Sequence, residues 1–125
     1  MVQHNNTDKG RQGEFLAAYI LETYGVEVHH VDRSGSDLWC RVNDAIITVQ
    51  VKAASMAKRG SGRSTVPYYT YLTKNKDAHY FCFVALDLEL IILRPTDQVT
   101  ASTTRVAPAD FNEADQRRTI EEMLA

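Results

Sequence analysis

The chain predicts an α/β protein, more closely an α+β domain on one mixed sheet, in the order α-β-β-β-loop-β-β-α. Three observations carry that order. Apolar residues recur at helical spacing only near the two ends of the chain. The segments between them are of strand length and are separated by turn residues. One of these, Tyr80–Leu86, is apolar without alternation, as expected of a strand covered on both faces.

The first helix is expected over about Lys9–Tyr24, with Leu16, Ala17, Ile20 and Tyr24 as its apolar stripe, Thr7 or Asp8 as its cap and Gly25 as its stop. Strands follow at Val26–Val31, Asp37–Val42 and Ala45–Ala53, an antiparallel meander broken by Asp-Arg-Ser-Gly-Ser and by Asn-Asp. Ala54 to Val66, with Gly and Ser around basic residues, reads as a surface loop. Tyr68–Leu72, Tyr80–Leu86 and Leu90–Leu93 complete the sheet, and Pro95 is expected to end it. Asp110 and Glu113 have the spacing of a capping box for a last helix carrying Ala114, Ile120, Met123 and Leu124.

At 125 residues, 44% hydrophobic and 24% charged, the chain is expected to fold as a single domain over residues 1–125, and disorder is excluded. Its two cysteines, Cys40 and Cys82, stand apart within apolar runs and form neither a disulfide framework nor a metal motif. With no apolar leader and no long apolar run, a cytoplasmic protein away from the membrane is expected. The net charge of −2 hides an uneven distribution, because residues 52–76 hold six Lys and Arg and no Asp or Glu. A basic island of that kind attracts phosphates locally while the rest of the surface stays acidic, since screening confines the field to about 10 Å at 0.1 M salt.

A two-residue Asn43–Asp44 hairpin loop fixes a register in which Asp37 lies opposite Gln50. Such partners stand about 5 Å apart on one face. Lys52, two residues on, joins them there, while Val49, Val51 and Ala53 point the other way. A carboxylate, a carboxamide and an ammonium on an otherwise apolar framework are costly unless used or paired. The oxygens of Asp37, Gln50 and a backbone carbonyl are hard donors suited to Mg²⁺, and a lysine beside them can hold a phosphate or a water and offset charge in phosphoryl transfer. Glu14 lies on the helical line of Ala17, Ala18 and Leu21, with Gly10 and Gly13 nearby to admit another backbone.

Lys9-Gly-Arg-Gln-Gly-Glu14 opening a helix, Ser34-Gly-Ser-Asp37 opening a strand and Val49-Gln-Val-Lys52-Ala53 on the next resemble the PD-(D/E)xK nuclease superfamily, of restriction-endonuclease-like fold. The likeness spans about residues 9–95 and is strongest to members ending in Q-x-K, such as Mrr-type enzymes and intron-encoded homing endonucleases. It implies a Mg²⁺-dependent DNA endonuclease, with Mn²⁺ able to substitute, in which Asp37, Gln50, Glu14 and the Val51 carbonyl hold the metal and Lys52 acts on the nucleophilic water. Ser36 stands where the motif has proline, and Gln50 where it usually has an acid. The second change removes a negative charge, so metal affinity rests more heavily on Asp37 and Glu14. The alternative is a DNA-binding module on the same fold that does not cut.

DNA contacts are expected from Lys58, Arg59, Arg63, Lys74 and Lys76. A symmetric dimer or tetramer is expected because one small subunit has little surface for reading a long site. His29 and His30 leave opposite faces of a strand, and His4 and His79 have no partner at ligand spacing, so zinc is not expected. Trp39 shares the Asp37 face and fits the core or a flank of the groove, the core being the preferred reading. Tyr68, Tyr69 and Tyr71 fit either packing or base stacking.

Overall fold

The computed structural model describes residues 6–33, 35–60 and 66–125. The first helix, α1 (Asn6–Thr23), begins before the expected start, so Thr7 and Asp8 lie inside it rather than capping it. It ends as its glycine predicts: the N–H groups of Gly25 and Val26 donate to the carbonyls of Glu22 and Leu21, which closes the last turn.

Strands β1 (Glu27–Arg33), β2 (Ser36–Val42) and β3 (Ala45–Ala54) form the expected meander. Asn43 and Asp44 have φ of 50° and 66°, the left-handed pair that a tight primed turn requires. Val42 therefore faces Ala45, and Leu38 faces Val49. Strand β3 then runs parallel to β6 (Tyr80–Ala85), which pairs antiparallel with β7 (Leu90–Pro95), giving the mixed order β1-β2-β3-β6-β7. The α+β class and the order of the expected elements hold.

The crossover from β3 to β6 is where the structure departs from expectation. It carries β4 (Lys58–Arg59) and β5 (Pro67–Leu72), and these join β8 (Thr103–Val106) in a separate three-stranded sheet. Pro95 ends β7 but not the β structure. Tyr69 and Tyr71, both buried, aim from β5 at Phe81 and Phe83 of β6, so this small sheet acts as a lid on the second face of the large one. The first face is covered by α1 and by α2 (Glu113–Leu124), through Ala17, Leu21 and Ile120 against Leu38, Val49, Val51, Cys82 and Ile91.

Asn112, rather than Asp110, caps α2: its side chain accepts from the Asp115 N–H at 2.8 Å. Asp110 belongs to the short 3₁₀ turn before it. The helix also closes the β7 edge, where the Ile91 N–H donates to Gln116 Oε1 at 2.9 Å and the Leu93 N–H to Thr119 Oγ1 at 3.2 Å. Among the described residues no helix is long and apolar enough to cross a membrane.

Candidate active site

The lid covers β6 and β7, and among the described residues its apolar cluster takes in Ala54 at the end of β3. The second face of β2 and of the rest of β3 therefore stays partly open, and the polar residues stand on that strip. Asp37, Gln50 and Lys52 are each half-buried there, as the hairpin register requires.

Regular pairing of β2 with β3 stops at Leu38 and Val49. One step beyond, the Asp37 side chain replaces the strand: its Oδ2 accepts the Val51 N–H at 2.8 Å. The N–H and C=O of one strand residue point to the same side. The Val51 carbonyl thus faces the Asp37 side, where a third oxygen donor is wanted.

Gln50 Oε1 is buried and, among the described residues, has no hydrogen-bond partner. Such an orphan acceptor is uncommon and costs about 1–3 kcal/mol of desolvation. Asp37 and Lys52 form no ion pair with each other among the described residues. A carboxylate, an ammonium and a buried amide oxygen therefore share one strip without satisfying one another. Among the described residues no three His, Cys, Asp or Glu side chains gather into a metal cluster. A cation here would rest on carboxylate, carboxamide and peptide oxygens together.

Glu14 is half-buried on α1, which packs on the Val51 and Ala53 face. The structure thus brings Asp37, Gln50 and Lys52 together and sets Glu14 on a helix across β3 from them. The approach of that helix depends on Gly13: a Cβ there would lie 2.6 Å from Ala53 Cβ and 3.6 Å from Val51 Cγ1. A second glycine shapes the entry to Asp37. Gly35 has φ +78°, and a Cβ on it would stand 2.7 Å from Asp77 Cβ, so the β1–β2 turn nests against the loop before β6. The Ser-Gly-Ser preceding Asp37 signals a turn, yet its partner could not be read from sequence.

Lys58 and Arg59 are exposed on β4, and Lys74 is exposed after β5. Arg63 and His4 lie outside the described residues. Lys76 is committed to the fold: its ammonium donates to the carbonyls of Thr73 and Ala101 and lies 5.6 Å from the centre of the Phe81 ring. Trp39 is half-buried, on the same face of β2 as Asp37. Tyr69 and Tyr71 pack and donate to Asp87 Oδ1 and the Val84 carbonyl, whereas Tyr68 faces outward. His29 pairs with Glu27, the His30 ring packs at a tilt against Phe15, and His79 Nδ1 accepts the Thr48 N–H. Both cysteines are buried, and burial pushes the Cys40 thiol up to about 11, so neither is a nucleophile at neutral pH.

No family model and no curated protein matches the chain. Among solved structures, it is similar to a bacterial homing endonuclease, I-Ssp6803I, with a TM-score of 0.73 over 98% of this chain and 93% of that one, at 19% identity. At that identity the likeness is one of fold, and it covers both chains nearly end to end.

Proposed function

We propose that this chain is a Mg²⁺-dependent DNA endonuclease of the PD-(D/E)xK type in its Q-x-K form, cutting a phosphodiester by direct attack of water. The observation that carries the reading is the strip of Asp37, Gln50 and Lys52, in which the buried Gln50 oxygen lacks a partner among the described residues. The shared fold with a protein described as a homing endonuclease supports the same class.

The oxygens of Asp37, Gln50 and Val51, with the Glu14 carboxylate of α1 as a further donor, fit a hard divalent cation that retains several waters. Mg²⁺ bound there, or Mn²⁺ in its place, would supply Lewis-acid stabilisation of the phosphate oxygens. Asp37 is oriented for this by the Val51 N–H, which occupies Oδ2 and fixes the direction of Oδ1. Lys52 orients the attacking water and offsets the charge that builds on the phosphate, an effect worth most in the transition state. Lys58, Arg59, Arg63 and Lys74 hold the DNA backbone, and Lys76 braces the loop that carries Lys74. A symmetric dimer or tetramer would supply the additional reading surface.

Incubation of supercoiled plasmid with the protein, with Mg²⁺ and with excess chelator, tests the reading. Nicking or linearisation in Mg²⁺ alone is expected, with Lys52→Met losing orders of magnitude in rate and little affinity. DNA binding without cutting in either Mg²⁺ or Mn²⁺ would establish the non-cutting module instead.

A further inference from the structure

Where β3 leaves the sheet, a pocket of about 290 Å³ opens between the first turns of α1 and the outer face of the lid. Ala53 and Ala54 form its floor, and Lys9, Ser55, Lys58, Tyr68 and Thr70 supply its polar lining. Ala53 directly follows Lys52, so the pocket adjoins the candidate active site.

The chemistry of the lining is one-sided. Two ammonium groups, from α1 and from β4, meet at the pocket, and among the described residues no carboxylate lines it. Neither lysine forms an ion pair among the described residues, and Lys9 is half-buried. Like charges gathered in this way repel, and an anion between them reverses the sign of the interaction. Three hydroxyls, of Ser55, Tyr68 and Thr70, add donors suited to phosphate oxygens. The volume lies at the bottom of the range for ligand sites, and Met56 is the one large aliphatic wall, which suits a compact anion better than a heterocycle.

We infer that this pocket is a phosphate subsite, held by Lys9 and Lys58 with Tyr68 as a hydroxyl donor, and that it receives the phosphate next to the one cut at Lys52. Recognition of phosphate stands on the pocket itself; only its assignment to the cleaved DNA strand rests on the nuclease reading. The subsite would fix the register of the strand over Asp37 and Gln50. A phosphate held a short distance from the scissile one limits where the scissile group can lie.

Titration of isotope-labelled protein with inorganic phosphate, against chloride at equal ionic strength, tests the pocket without any cleavage. Amide shifts are expected at Ala54, Ser55, Lys58 and Thr70, and they should vanish in the double variant Lys9→Gln, Lys58→Gln. Shifts that are absent, or that persist in the double variant, overturn the subsite. The assignment to DNA is tested by binding in chelator over a salt series. The double variant should lower the slope of log affinity against log salt by about 0.9, for the one duplex phosphate no longer neutralised. Arg118→Gln, which removes a remote cation on α2, should leave that slope unchanged. Phosphate shifts together with an unaltered DNA slope would overturn the assignment to DNA and mark the site as one for free phosphate, whether or not the protein cuts.

Discussion

The hydrogen bond from the Val51 N–H to Asp37 Oδ2 gives one side chain two roles that substitution can separate. Asparagine retains an oxygen for that N–H but carries no charge. Asp37→Asn should therefore keep its stability within about 0.5 kcal/mol and lose cleavage. Asp37→Ala should lose cleavage and also about 1 kcal/mol in urea denaturation. Normal cutting by the asparagine variant would remove Asp37 from the site. Gln50 makes the opposite trade. Its orphan oxygen is a standing cost, so Gln50→Leu should unfold at higher urea, by about 1 kcal/mol, while needing far more Mg²⁺ or failing to cut. Gln50→Glu keeps the oxygen and adds charge beside Asp37, which should lower the Mg²⁺ concentration for half-maximal cleavage. Identical metal titrations for all three proteins would reduce Gln50 to a sheet residue.

Among the elements, α2 is tied to the sheet by side chains that replace a missing strand. Gln116 Oε1 serves the Ile91 N–H, and Thr119 Oγ1 serves the Leu93 N–H. Gln116→Leu has nearly the same volume but leaves a buried donor without a partner, so a loss of about 1–3 kcal/mol is expected in denaturant. Cleavage per folded molecule should not change, because α2 packs on the face away from Gln50 and Lys52. Unchanged stability would mean that the Ile91 N–H finds another acceptor. The segment also shows why helix starts are hard to place from spacing. Asp110 and Asn112 are both good capping residues, and the choice fell to Asn112 because Pro108 to Asp110 close a 3₁₀ turn before the helix begins.

At the scale of the whole molecule, the two faces of one sheet are covered unequally. Helices bury the first face across β2, β3, β6 and β7, and the lid covers only part of the second. The strip left over holds the polar residues, and the lid that bounds it carries Lys58 and Arg59. Charge concentrated near the strip lets a chain of net charge −2 attract a polyanion. Neutralising Lys58, Arg59 and Arg63 together should weaken binding to all DNA sequences alike and flatten its salt dependence by about 0.9 for each phosphate that the three cations neutralise. An unchanged slope would leave these cations as ordinary solvated groups.

The sequence by itself determined the features that depend on short spacing. Asn43 and Asp44 fixed a two-residue turn, the turn fixed the register, and a period of two then put Asp37, Gln50 and Lys52 on one face. Gly25 set the end of α1 in the same local way. What tertiary structure alone decided involves partners far apart in the chain. The pairing of β5 with β8 took Tyr68–Leu72 out of the main sheet, because main-chain hydrogen bonds to Thr103–Val106 have no signature in either segment. Lys76 looked like its neighbour Lys74 until the carbonyl of Ala101 came within 2.7 Å of its ammonium. Trp39 could be placed on a face by alternation, but its exposure depended on where the lid ends. Lys9 and Lys58 line one pocket where α1 lies close against Ala53 through Gly13, and that contact is set by packing between a helix and a strand that share no local pattern.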